Sequence, residues 1–187
     1  MRIWSPSIPS LVERRWVSGP AVAILDILIY PDPRLKHTAA DVAVFDETLH
    51  AFVADLEHTL RAGPGAVRIA APQVGRPERI VIVDVSAKPG IEHHGRLVLI
   101  NPEILSWEGT TKGREGCLSV PDYTGNVIRA ERIRLQAQDE FGASHQYDIA
   151  GFEARAVQHE LDHLDGVLFL DRLVSRRSDL FRRKVYR

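Results

Sequence analysis

Hydrophobic residues recur at helical spacing in the first half of the chain, between Asp46 and Arg61. Successive apolar side chains lie three or four residues apart, which places them on one face of a helix. These residues are Leu49, Phe52, Val53, Leu56 and Leu60. The pattern predicts an N-terminal amphipathic helix that packs against a sheet.

The middle of the chain has the composition of β-strands. Val, Ile and Leu dominate four short stretches, and polar loops or turn residues separate them. The stretches are 67–71, 79–85, 96–101 and 103–107. A further strand is expected at 127–137, where apolar residues alternate with polar ones.

Helical spacing returns in the last third of the chain. Phe152, Ala156, His159 and His163 fall on one stripe, and Gly166 after them is typical of a helix end. A helix, then a run of antiparallel-type strands, then a second helix indicates an α+β domain rather than alternating βαβ units. We therefore expect antiparallel sheets packed around this central helix.

The two ends of the chain differ in composition from the rest. Residues 1–22 carry prolines, serines and arginines without periodicity, so we expect a loosely ordered extension followed by a single domain at 23–187. The extension is similar in composition to a transit peptide, and a bacterial extension or a misassigned start would look the same. Arginine and lysine dominate residues 172–187, where we expect a basic C-terminal helix.

Composition excludes only a few classes of partner. The chain has 187 residues, 44% of them hydrophobic, and a formal net charge of −1, which gives no general reason to expect DNA. Its one cysteine cannot form an internal disulfide, which suits a reducing compartment. No apolar run approaches the roughly 20 residues needed to cross a bilayer. We expect neither a DNA partner nor a membrane partner.

The second helix contains the sequence His-Glu-x-x-His, which is typical of metal-assisted hydrolysis. Four residues of a helix advance about 6 Å and 400°, so His159 and His163 project from one face and can bind one metal ion. Glu160 is placed to take a proton from a metal-bound water rather than to bind the ion.

The usual downstream positions do not supply the third ligand. A metzincin would need histidine at the position of Phe169, and no glutamate follows Glu160. The single cysteine, Cys117, is the better candidate, because a thiolate with two imidazoles is a sound ligand set for Zn or Fe(II). A lone cysteine is more often a small buried hydrophobic residue, but the histidine pair favours ligation.

Three motifs, in this order along the chain, resemble those of the peptide deformylases. Two match closely, and the third, Gly-x-Gly-Leu-Ala-Ala-x-Gln in the family, is matched in part. The segments are 66–73 (Ala-Val-Arg-Ile-Ala-Ala-Pro-Gln), 115–119 (Glu-Gly-Cys-Leu-Ser) and 158–163 (Gln-His-Glu-Leu-Asp-His). The resemblance extends over about residues 24–172 and implies the same architecture.

The resemblance also implies a reaction and a cofactor. Peptide deformylases are metal-dependent hydrolases that remove the N-formyl group from formylmethionine on nascent polypeptides and release formate. One divalent ion is implied, Fe(II) in the family's usual form, although Zn, Ni or Co would also suit the ligands. Glu160 would act as general base and then acid, while the Gln73 amide and the Leu118 N–H would stabilise the oxyanion.

Substrate contacts are expected on both sides of the metal. Phe152 and Ala156 would form an apolar wall for the methionine side chain, with Val67 opposite, and Gly116 would let a peptide backbone approach. Arg68 departs from the family, which has glycine there, and would place a long charged side chain at the mouth of the pocket. Three effects are open: it tolerates the substrate, selects acidic residues after methionine, or obstructs binding.

Two other functions stay open. One is a deformylase-like protein that binds peptides or ribosomes with low or altered turnover because of Arg68, and the other is a zinc aminopeptidase or related hydrolase. The C-terminal helix of bacterial deformylases docks on the ribosome, and a basic segment at 172–187 would suit contact with rRNA phosphate. The resemblance implies the bacterial cytoplasm, or an organelle if residues 1–22 are a transit peptide.

Overall fold

The computed structural model describes residues 22–183, and these residues form two antiparallel sheets and three α-helices. The helices are α1 (Glu47–Ala62), α2 (Gly151–Leu164) and α3 (Arg176–Asp179). The strands are β1 (Arg68–Ala70), β2 (Ile80–Val83), β3 (Leu97–Glu108), β4 (Thr111–Cys117), β5 (Val120–Arg129), β6 (Arg132–Gln138), β7 (Ser144–Ala150) and β8 (Leu180–Arg182). Almost all of the predicted N-terminal extension lies outside the described residues.

The two sheets differ in size and in the strands at their edges. The larger sheet has the order β1-β2-β3-β6-β7 and the smaller one the order β4-β5-β8. All neighbouring strands are antiparallel, for example Arg68 opposite Val83 in β1 and β2. β1 and β4 are therefore edge strands, and each has one side that is free of a neighbouring strand.

Helix α1 covers one face of the larger sheet. It begins after Asp46, whose carboxylate accepts a hydrogen bond from the Leu49 N–H at 3.0 Å and so caps the first turn. One face of α1 is buried against alternate residues of β1 and β2, including Ile69, Ile80 and Ile82. Each fully buried aliphatic side chain in this layer contributes roughly 1.5–3 kcal/mol relative to exposure.

Helix α2 packs on the opposite face of the same sheet and is almost wholly buried. It contacts Ala70, Val81 and Val83, which alternate along the strands with the residues that face α1. The helix ends before Gly166, which has φ of 69° and lies so near the Lys36 carbonyl that a Cβ would be 2.5 Å from its oxygen. Only glycine fits there, which explains the sharp helix end. Within residues 22–183, no helix is long and apolar enough to cross a bilayer.

The middle strands differ from the sequence prediction in their boundaries. Residues 127–137 are not one strand, because β5 ends at Arg129 and β6 begins at Arg132. The predicted strands at 96–101 and 103–107 are a single strand, β3, with a shift in register after Ile100. Apolar alternation continues across both junctions, so the pattern gives no sign of where a turn or a bulge lies.

The prediction of a long basic helix at 172–187 is wrong in its extent. Helix α3 has four residues, and the chain then becomes β8, which pairs with β5 through Leu180 opposite Gly125 and Phe181 opposite Thr124. In a segment this short, apolar residues fit a helix or a strand equally well. Hydrogen bonding to the edge of β5 decides in favour of the strand.

Candidate active site

The three predicted metal ligands meet between α2 and the end of β4. Cys117 is the last residue of β4, and His159 and His163 lie one turn apart on α2. Their ligand atoms all lie within 4.8 Å of one another, and Cys117 Sγ is 3.2 Å from His163 Nε2. Ligands bound at about 2.0–2.3 Å from one ion are separated by roughly 3–4 Å, so the spread of this cluster suits a single metal.

The chemistry of the buried donors also suits a divalent cation. Burial, with Glu160 nearby, raises the pKa of the Cys117 thiol to about 12. Burial lowers the pKa of His159 to about 4, so its ring is neutral near pH 7, and neutral imidazole is the form that binds metals. Bound cations deprotonate a coordinating thiol outright. The cluster therefore fits a divalent ion held by one thiolate and two imidazoles.

Glu115 fixes the orientation of His159. Its carboxylate lies 2.8 Å from His159 Nδ1, which leaves Nε2 facing the ligand cluster. Arg129 donates to both carboxylate oxygens at 2.9 and 3.0 Å, and Arg155 donates at 3.1 Å. Burial alone would raise the pKa of Glu115, but the hydrogen bonds from His159 and Arg129 outweigh it and hold this pKa well below its usual range. Such a partner sets the tautomer and ring direction of a ligating histidine.

The role of Glu115 was not predicted from the sequence. The available signal was its spacing: it lies two residues before Cys117, and residues at i and i+2 of a strand share a face. Nothing in the spacing of Arg129 or Arg155 pointed to this cluster, because β5 and α2 bring them in from distant parts of the chain.

The variant Glu115→Gln is expected to bind the metal ion with about 10–100-fold lower affinity than the unaltered protein, because the His159 ring loses its charged partner. Metal retained after equilibration with graded chelator measures the affinity. Glu108→Gln, an exposed change on β3, is the matched control. Equal retention by both variants would show that Glu115 has only a structural role.

Glu160 points into the same space as the ligands. Its Oε1 lies 4.0 Å from His159 Nε2, and its Oε2 has no hydrogen-bond partner within residues 22–183. Burial raises the pKa of Glu160 to about 8, and the Arg68 guanidinium acts against this rise. A buried carboxylate with a raised pKa beside a cluster of candidate metal ligands has the properties of a general base.

Arg68 reaches deeper than the sequence suggested. Its Nε lies 3.0 Å from Glu160 Oε1, and its Nη2 donates to the Gly116 carbonyl oxygen at 2.8 Å. Only 13% of its side chain is exposed. The guanidinium therefore lies beside the candidate base and bridges the free sides of β1 and β4, instead of lying at the mouth of the pocket.

Gln73 and Leu118 lie beside Cys117. Gln73 is 2% exposed, and its side-chain oxygen accepts from the Ala70 N–H at 3.0 Å, which directs its amide nitrogen towards the cluster. That nitrogen donates to Ser119 Oγ at 3.1 Å and to Cys117 Sγ at 3.4 Å. Leu118 begins the two-residue turn between β4 and β5. The Gln73 amide and the backbone of the turn at Leu118 therefore both lie next to Cys117.

A cavity of about 210 Å³ opens onto this cluster. Nine of the residues singled out from the sequence line it: Val67, Arg68, Gln73, Gly116, Cys117, Leu118, Phe152, His159 and Glu160. Ala156 is 1% exposed and packs in the core between α2 and the larger sheet, so it lies behind the wall rather than in it. Sequence reasoning missed Lys88, Arg114 and Arg183, which also line the cavity.

Comparison with known proteins gives one consistent result. The family model described as polypeptide deformylase matches residues 24–179. A peptide deformylase of Alkalilimnicola ehrlichii is 46% identical over 88% of this chain and 90% of its own length, and one of Wolinella succinogenes is 44% identical over 80% and 88%. A class I type b peptide deformylase from Acinetobacter baumannii, solved with Met-Ala-Ser bound, has a TM-score of 0.76 and 34% identity over 82% of this chain and all of its own.

Proposed function

Because this chain belongs to the peptide deformylase family, its activity is hydrolysis of the N-formyl group from nascent polypeptides, and we propose that Cys117, His159 and His163 hold the metal ion for it. On this proposal α2 is the central metal-binding helix, and residues 23–187 form one catalytic domain. The observation that carries the proposal is that these three buried donors lie within 4.8 Å of one another, beside a cavity lined by Cys117, His159 and Glu160.

The substrate is proposed to bind as an extended strand between β1 and β4. Both are edge strands with free backbone groups, which an extended peptide can pair with by strand addition. The relative from A. baumannii was solved with the tripeptide Met-Ala-Ser, a peptide of the same kind. The methionine side chain would lie between Val67 and Phe152, and Gly116 would let the peptide backbone approach β4.

The chain's own residues would carry the proton transfers. When bound, the divalent ion supplies a Lewis acid that acidifies water and polarises the formyl oxygen. Glu160 accepts a proton from the attacking water and delivers it to the departing amine nitrogen, so the peptide leaves with a free N-terminus and the formyl group leaves as formate. The Gln73 amide and the Leu118 N–H stabilise the charge that develops on the formyl oxygen.

Release of formate from formyl-Met-Ala-Ser by the metal-loaded full chain tests this function. We expect turnover that disappears when a chelator removes the metal and returns when the metal is added back. Fe(II) is proposed as the native ion, so the assay is run without oxygen and repeated with Zn, Ni and Co. Release of methionine from an unformylated peptide, with no formate from the formylated one, would favour an aminopeptidase instead.

The contact between Arg68 and Glu160 supports a second candidate function. A guanidinium 3.0 Å from the proposed base occupies space that water and substrate need. A deformylase-like protein with low or altered turnover would have this arrangement. Turnover of acidic and neutral formyl peptides distinguishes the two candidates, because only the second predicts low rates for both kinds of peptide until Arg68 is replaced.

The basic C-terminal segment is proposed to contact the ribosome. Its support is charge alone, since the helix there has four residues instead of the expected length. Reversing the exposed pair Arg176 and Arg177 to glutamate is expected to weaken co-sedimentation with ribosomes at moderate salt. Unchanged binding at moderate salt would end this proposal. The bacterial cytoplasm, where nascent formylated chains emerge, is the proposed location.

A further inference from the structure

The cavity beside Glu160 has an uneven distribution of charge. Its lining includes three cations, Lys88, Arg114 and Arg183, and none of them forms an ion pair with a carboxylate within residues 22–183. Arg114 instead donates to the neutral side chains of Asn126 and Thr124, and its guanidinium lies 3.5 Å from the centre of the Phe181 ring. These contacts hold the Arg114 guanidinium in place without neutralising its charge.

The acidic residues in the cavity cannot compensate these charges. Glu115 is buried and already bound by Arg129 and Arg155. Glu160 is buried and paired with Arg68. The remaining positive charge stands on both sides of the opening: Lys88 lies over the Phe152 ring, while Arg183 packs so closely against Gly116 that a Cβ there would collide with it.

Arg68 connects this charge distribution to substrate entry. An extended peptide between β1 and β4 must replace the hydrogen bond from Arg68 to the Gly116 carbonyl, and water must reach Glu160. Moving the guanidinium separates it from Glu160 and leaves it without a carboxylate partner. A charge that is partly buried is stable only when it is paired or returned to water. A substrate that brings its own carboxylate supplies the missing partner.

We propose that the preferred substrates are formylmethionyl peptides with aspartate or glutamate in the first two positions after methionine. Their side chains would pair with the displaced Arg68 and with the cations at the mouth of the cavity, Lys88, Arg114 and Arg183. This inference rests on the proposed deformylase function and adds a substrate class to it. Nucleic acid is the less suitable partner, because these cations converge on a concave cavity beside the candidate base.

The test compares three formylated peptides with amidated C-termini, so that only the side chains differ in charge: formyl-Met-Asp-Asp-Ser, formyl-Met-Ala-Ala-Ser and formyl-Met-Lys-Lys-Ser. With the metal-loaded full chain at low ionic strength, kcat/KM is expected to be about tenfold higher for the acidic than for the lysine peptide. The ratio is expected to shrink in high salt, because mobile ions screen partly exposed charges.

Charge reversal locates the effect. The double variant Arg114→Glu, Arg183→Glu is expected to bring the ratio of acidic to lysine peptide to one or below. Arg132→Glu, an exposed change on β6 away from the cavity, is the matched control and should keep the ratio of the unaltered protein.

Two results would overturn the inference. Equal kcat/KM for the three peptides at low salt would exclude the acidic preference while leaving deformylase activity intact. A salt effect seen only in the binding of ribosomal RNA would then assign the cations to nucleic acid. No formate from any peptide, in the unaltered protein and in Arg68→Gly alike, would overturn both the preference and the proposed function.

Discussion

Glu160→Gln is expected to lower kcat/KM for formyl peptides by about 10²–10⁴-fold while metal content stays unchanged. The amide keeps the size of the side chain but cannot accept the proton from the attacking water. The loss should appear in kcat rather than KM, because Glu160 acts on the reacting atoms and contributes little to peptide binding. Formate release and metal analysis on the same preparation measure both quantities.

The control for this prediction is a carboxylate on the same helix that lies outside the cavity. Glu153 is buried, and its carboxylate lies 2.7 Å from His94 Nδ1. Glu153→Gln is therefore expected to affect stability more than turnover. Full activity of Glu160→Gln with metal bound would exclude the general-base role. Loss of metal along with activity would leave the role of Glu160 to be assigned by adding back the ion.

Arg68→Gly is expected to raise kcat/KM for a neutral peptide such as formyl-Met-Ala-Ser tenfold to a hundredfold. Moving the Arg68 guanidinium away from Glu160 breaks a buried ion pair, which is unfavourable by about 3–5 kcal/mol. Part of this free energy is recovered when the freed guanidinium reaches water. The glycine variant never has to separate this pair before binding a peptide. The gain should be smaller for the acidic peptide, which replaces the lost partner itself.

Two matched variants show whether the pair is responsible. Arg68→Lys keeps the charge and should stay close to the unaltered protein, whereas Arg68→Ala should resemble the glycine variant. Adding Glu160→Gln to Arg68→Gly should remove the gain, because the gain depends on a freed carboxylate. A tenfold fall in kcat/KM for every peptide in Arg68→Gly would show instead that Arg68 takes part in binding all substrates.

The sequence was most informative where the chemistry is local. His159, Glu160 and His163 share a helix, so their spacing alone predicts that they lie close together. The α+β class with antiparallel sheets also followed from the order of periodic segments and is confirmed by the solved relatives. Cys117 was predicted as the third metal ligand because other ligands were absent and because of its motif, and its sulfur lies with the two histidines in the structure.

The periodicity of hydrophobic residues does not predict contacts between distant segments. Glu115, Arg129 and Asp162 come from two strands and a helix, and only the packing of α2 against the smaller sheet joins them into one ion network. The direction of the Arg68 side chain depends in the same way on Glu160 and on the Gly116 carbonyl. Sequence identifies the unusual residue at position 68 but cannot tell whether it faces outward or inward.

The free sides of β1 and β4 have a consequence for solubility during and after folding. Unpaired strand edges are templates on which a second chain can add, and a charged side chain pointing inward along an edge is one of the features that prevents this. Arg68 is such a residue, since it lies on β1 and ties up the Gly116 carbonyl of β4. We expect Arg68 to oppose pairing between copies of this protein, so Arg68→Gly should self-associate at lower concentration than the unaltered protein.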